Sequence, residues 1–176
     1  GITGKEFPSM ERKAIITMAG DHGVVEEGVS AFPREVTPQM VLNFLRGGAG
    51  INVFARHVGT EVVVVDMGVA EDIEPHPKLI SRKVAKGTMN MMKGPAMTME
   101  EAIRSIRAGI EIIEDMAKEG LDIVGTGDMG IGNTTPSSAI AAVLTKKRVE
   151  AVTGRGTGID DVTLKKKIKV IKRAIE

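Results

Sequence analysis

The residues best suited to chemistry lie in one run, Gly125-Thr-Gly-Asp-Met-Gly-Ile-Gly-Asn-Thr-Thr135, followed by Pro136. It follows a short apolar segment and leads into a helical pattern. Backbone N–H groups at a helix start, with the helix dipole behind them, favour a phosphate. Gly130 and Gly132 allow close backbone approach, and Asn133, Thr134 and Thr135 add donors. The run is not a Walker A loop, because no Lys-Ser/Thr pair follows the glycines. Glycines 125, 127, 130 and 132 fit the dinucleotide spacing, but no acidic residue ends a strand ~20 residues on. The bland reading is a glycine-rich strand-to-helix turn, and Asp128 within it reads equally as a helix-start carboxylate. A carboxylate repels a phosphate, so a functional Asp128 faces a sugar hydroxyl or a cationic ring.

Gly20-Asp21-His22-Gly23 raises metal chemistry, since two-metal phosphoesterases place Gly-Asp-x-His-Gly after a strand. Here the intervening residue is missing, and the chain has only three His, at 22, 57 and 76. Metal-dependent phosphoester hydrolysis is therefore a weak alternative, with no metal assigned. His57 fits a helix face and His76 a proline-flanked loop. The lysines of the last segment read as a solvated face, although one near its start could reach a phosphate. Met89, Met91 and Met92 read as plastic core filling.

These loops must be held by regular elements. Residues 13–19, 61–66, 121–124 and 149–153 are short, apolar and rich in β-branched residues, as buried strands are. Residues 81–86 suggest a further short strand. Thr37-Pro38 reads as a helix start, and Gly47-Gly48 breaks that helix before a second, 51–58. Thr98-Met-Glu-Glu101 is a capping box opening a helix with Ile103, Ile106, Ile110 and Ile113 in phase. The last helix presents Leu164, Ile168, Ile171 and Ile175. Strands alternating with helices predict an α/β fold: a doubly wound, mostly parallel, Rossmann-like sheet. The four glycine-bearing loops would then all lie at its carboxyl edge, where ligands bind. Residues 1–176 read as a single α/β nucleotide-binding domain.

Composition narrows the class. Apolar residues are 42% and charged residues 27% of 176, with a net charge of +1, which excludes a disordered chain and gives no reason to expect nucleic acid or a membrane surface. No apolar run approaches the ~20 residues of a membrane-spanning helix. With no Cys there is no disulfide framework, and a cytoplasmic protein is expected. Four Phe are the only aromatic residues, so the core must come from aliphatic side chains and 11 Met.

Read in order, the loops resemble one family. They are Ala19-Gly-Asp-His-Gly-Val24, Glu27-Gly-Val-Ser-Ala-Phe-Pro33, Glu35-Val-Thr37, Val65-Asp-Met-Gly-Val69, Gly94-Pro-Ala-Met97, the run from Gly125 to Pro136, and Gly154-Arg-Gly-Thr-Gly-Ile-Asp160. Together they look like nicotinate-nucleotide:dimethylbenzimidazole phosphoribosyltransferases. The resemblance implies transfer of phosphoribosyl from nicotinate mononucleotide to 5,6-dimethylbenzimidazole. The products would be α-ribazole 5′-phosphate and nicotinate, in cobalamin nucleotide-loop assembly, with no cofactor and no metal. Its partners would be these small molecules and a second copy of the chain in a homodimer. A non-catalytic nucleotide- or phosphate-binding module is the alternative.

Roles follow on matching positions. Met129, Gly130, Ile131, Gly132, Asn133 and Thr134 match the phosphate-binding loop. Asp128 stands where the family often has Glu, a supporting carboxylate near the ribose. Lys167 matches a lysine near the phosphate, and Gly156 a loop beside the nucleotide. Phe32 and Met40 match the benzimidazole pocket, apolar here where some relatives are polar. The family's catalytic glutamate, in a Gly-Glu-Gly-like segment far downstream, has no match, so no catalytic base is assigned within these residues. Its N-terminal Lys-Pro-Pro-Gly-Ser-Leu-Gly signature is unmatched too. The chain is expected to correspond to the central half of the family's chain, with the small helical domain and remaining strands largely absent.

Overall fold

A computed structural model describes residues 2–176. Its sheet comprises β1 (Lys13–Gly20), β2 (Glu61–Gly68), β3 (Leu79–Ser81) and β4 (Ile123–Met129), in the order β3-β2-β1-β4. All three pairings are parallel, with Ile16 opposite Val63 on one side and Thr126 on the other. Parallel strands need crossovers, and the helices supply them on both faces. Between β1 and β2 run α1 (Val36–Arg46) and α2 (Gly50–His57). Val41, Phe44 and Leu45 of α1, with Ala49 just before α2, are buried against Ala19 and Val64. Between β3 and β4 runs α3 (Met99–Lys118), which sets Ile112 against Ala14, Ile16, Val63 and Val65 on the other face. Apolar side chains on both faces explain the unbroken aliphatic runs of β1 and β2. The sheet is doubly wound.

The strand order reverses between β1 and β4, which are neighbours although two strands separate them in sequence. Ligand crevices open beyond the carboxyl ends of strands at such a reversal. The loops that meet there are Gly20–Gly23 and Gly130–Asn133.

Several local expectations change. Residues 149–152 form a helix, α5, and not a fourth parallel strand. A β-branched run this short fits either state. Val149 and Val152, one helical turn apart, both turn to Ala139, Ala142 and Ile171. The loop 154–158 thus follows a helix, not a strand. The strand expected at 121–124 begins at Ile123 and runs to Met129, so Gly125 and Gly127 lie within it. They sit there because β1 comes close: a Cβ on Gly125 would stand 3.2 Å from Ile15 Cγ1, and on Gly127 3.3 Å from Thr17 Oγ1. The strand suggested at 81–86 is instead β3, ending at Ser81.

Glu35, not Thr37, precedes the first turn of α1. Thr37 is buried inside the helix, and its hydroxyl accepts from the Ile131 N–H at 3.1 Å. The Thr98 capping box is present in full, with Glu101 Oε2 2.8 Å from the Thr98 nitrogen. Beyond β4, α4 (Thr134–Thr145) packs with α5 and with α6 (Asp161–Ile175). The buried face of α6 is Lys167, Val170 and Ile171, and Ile175 is exposed. That places a lysine in the core of the helix expected to show its lysines to solvent.

Candidate functional site

Each residue at the carboxyl edge is held by the element it ends. Strand alternation sends Asp128 towards the α3 face with Met18 and Met67, and Met129 towards the α1 face with Ala19. Gly130 then passes so close to the end of β1 that a methyl group on it would collide with the Gly20 carbonyl oxygen. The same methyl would stand 2.9 Å from His22 Nε2. This glycine makes room for the neighbouring loop, a close approach that sequence reasoning did not foresee. Gly132 is the position with a left-handed backbone, φ +82, and the chain turns there into α4.

A cavity of about 110 Å³ lies at the start of α4. Met129, Gly130, Ile131, Gly132, Asn133 and Thr134 line it, and Gly156 and Lys167 close it from the other side. Lys167 is 1% exposed. Its Nζ donates to Thr134 Oγ1 at 2.6 Å and to the Gly154 carbonyl at 3.2 Å. Burial pushes its pKa below the usual lysine range, and no carboxylate offsets the shift. A buried ammonium without an acidic partner is costly. It faces the start of α4, an end of a helix where the dipole also favours negative charge. Ser30, which sequence reasoning missed, and Arg155, a neighbour of Gly156, also line this cavity. Arg155 is engaged with Asp161 and the Ile159 carbonyl. Nothing in the spacing of Ser30 pointed to the site.

A second cavity, about 440 Å³, opens beside the first on the α3 face. Its walls are mostly apolar, with Met18, Met67, Val84, Met89 and Met97, so Met89 faces a ligand-sized space rather than filling the core. Asp21, His22 and Asp128 provide its polar floor. Asp128 accepts a hydrogen bond from Asn133 Nδ2. Asp21 Oδ2 accepts from the Ala70 N–H at 2.7 Å, and Oδ1 lies 3.7 Å from Arg34 Nε. Asp21 therefore ties β1 to the loops after β2 and before α1. Among the described residues no group of three or more His, Asp or Glu stands together as metal ligands would. The phosphoesterase alternative finds no support.

Phe32 and Met40 do not line either cavity. Met40 packs on the α1-face cluster that also takes Met129, and Phe32 is 47% exposed on the preceding loop. A larger groove, about 550 Å³, lies at the amino edge around Arg12, Thr60 and Glu61, and holds none of the predicted site residues. Among the described residues no helix is long and apolar enough to cross a membrane.

A doubly wound sheet with a lysine-closed cavity and an adjoining apolar slot at its switch point defines an α/β protein. The chain belongs to the phosphoribosyltransferase family whose model matches residues 1–176. It is 62% identical over 174 residues to a protein of Geotalea uraniireducens named nicotinate-nucleotide–dimethylbenzimidazole phosphoribosyltransferase, covering 99% of this chain and 49% of that protein. A protein of the same name from Chloroflexus aggregans is 57% identical over 175 residues, covering 99% and 50%. The crystal structure of CobT from Thermus thermophilus superposes with a TM-score of 0.95 at 49% identity, covering 99% of this chain and 52% of that one. The chain thus spans about half the length of the relatives it matches.

Proposed function

We propose that this chain binds nicotinate mononucleotide and serves phosphoribosyl transfer to 5,6-dimethylbenzimidazole, giving α-ribazole 5′-phosphate and nicotinate for cobalamin's lower nucleotide. The observation that carries the reading is Lys167, buried without an acidic partner and facing the start of α4. The 5′-phosphate occupies the 110 Å³ cavity. Ribose passes Gly130 and Asp128, and the pyridinium enters the 440 Å³ slot, where the Asp128 carboxylate suits its positive charge. Inversion from a β- to an α-nucleotide needs the incoming base on the opposite side of the anomeric carbon. Asp128 and Met129 point to opposite faces of β4, and Met40 packs on the Met129 side. The benzimidazole is assigned to the Met129 side, with Met40 beneath it and Phe32 by family resemblance.

Nicotinate leaves from a cationic ring, so its departure needs little acid catalysis. The benzimidazole nitrogen must lose a proton, which calls for a general base worth ~10²–10⁴-fold in rate. The family glutamate that does this has no match here, so the base is assigned outside these residues. The reaction as written uses no cofactor and no metal. A second copy of the chain is the proposed protein partner, the cytoplasm the proposed compartment, and neither nucleic acid nor a membrane is a partner.

The test is α-ribazole phosphate formation by the 176-residue chain, alone and with the remaining sequence of a full-length relative restored. Trace turnover alone and recovery on restoration are expected. Turnover by the short chain near that of the full-length relative would put the base within these residues, with Asp128 first in line.

A further inference from the structure

We propose that His22 holds the sugar of the bound nucleotide, an assignment that rests on the phosphate reading above. His22 comes from the loop after β1, across the switch point from the phosphate-binding loop. It lines the larger cavity, and its Nε2 abuts Gly130, which lines the smaller one. The imidazole thus stands on the ridge between the two. A sugar joining a phosphate on one side to a ring on the other must cross this ridge.

The ring is poised for a ligand. Among the described residues its nitrogens make no hydrogen bond, whereas neighbouring Asp21 and Asp128 each have one carboxylate oxygen engaged. Burial lowers its pKa from the ordinary histidine value, outweighing the opposing pull of Asp21 and Asp128. The other charged groups lining this cavity are Lys86, paired with Asp72, and Glu101, which caps α3. A neutral imidazole offers one donor and one acceptor, the complement of a hydroxyl. Asp128 gives one carboxylate oxygen to Asn133 and keeps the other free. His22 and Asp128 side by side fit the two adjacent hydroxyls of a ribose. His22 is therefore a sugar-binding residue that favours ribose over deoxyribose phosphates.

Calorimetric titration of the 176-residue chain with inorganic phosphate, ribose 5-phosphate and 2-deoxyribose 5-phosphate tests this. His22→Ala is expected to weaken ribose 5-phosphate about tenfold, one lost buried hydrogen bond, and to leave inorganic phosphate unchanged. The preference for ribose over deoxyribose should shrink with it. His22→Gln, which keeps a donor and an acceptor, should recover most of the affinity. The chain has three histidines, so ring NMR signals can be assigned by substitution. The His22 signal should shift with ribose 5-phosphate and not with inorganic phosphate. Unchanged ribose 5-phosphate affinity in a folded His22→Ala chain, or equal loss for both ligands, overturns the assignment. Failure of the unmodified chain to bind inorganic phosphate, or binding indifferent to Lys167→Met, overturns the phosphate reading and this inference with it.

Discussion

At the scale of single residues, Lys167 is a lysine buried without an acidic partner. The folded chain holds its ammonium away from water with only a hydroxyl and a carbonyl for company. Its pKa is lower folded than unfolded, so the penalty is present in full at neutral pH. As pH climbs through the folded value towards the ordinary ~10.4, the folded chain sheds the proton first and stability rises. Lys167→Met keeps the stem and removes the charge. Denaturant titration across pH should show a more stable chain at neutral pH and no alkaline gain. Calorimetry should show nicotinate mononucleotide binding weakened about 10–100-fold, the worth of one charged hydrogen bond.

At the scale of elements, the glycines separate by what their missing side chains would touch. Gly130→Ala drives a methyl into the Gly20 carbonyl, and overpacking of this kind costs about 1–3 kcal/mol. Gly154→Ala meets nothing within 4 Å and should stay within about 0.5 kcal/mol of the parent. Urea midpoints of the two variants check this, and equal midpoints would mean that the β1 and β4 loops do not press together. None of this was legible beforehand, because a glycine's neighbour across a sheet lies far off in sequence. What was legible had local causes: the Thr98 capping box, the aliphatic β1 and β2, the helix break at Gly47-Gly48. That residues 129–134 gather at one cavity was legible through their residue types. The helix at 149–152 was not, because packing on α4 and α6 decided a run too short to decide itself. Lys167 was found by resemblance alone, since nothing in a lysine-rich helix marks which lysine turns inward.

At the scale of the whole molecule, β4 is an edge strand whose outer side has no partner among the described residues. Ile123 and Val124 are 44% and 36% exposed. Unprotected edges invite pairing with other chains, and a lysine on the edge discourages it. The chain should associate as concentration rises in analytical ultracentrifugation, and Val124→Lys should shift it towards monomer. A variant that associates like its parent would move the contact away from β4.

The position of β1 also bears on how the chain reaches its fold. Among the four described strands β1 precedes both of its neighbours in the chain, and β4 follows the other three. Arg12 and Asp122, joined at the amino end of the β1–β4 pairing, lie 110 residues apart. At ~5–20 residues per second of synthesis, β1 waits on the order of ten seconds for β4. During that interval one whole side of the strand that carries Asp21 and His22 at its tip stands open. The crevice between the β1 and β4 loops therefore closes only after more than a hundred further residues have followed β1, and folding of such non-local pairs is intrinsically slow. A nascent chain stalled before residue 123 can tie Asp21 to Ala70 and Arg34, but leaves His22 without the Asp128 and Gly130 it stands against.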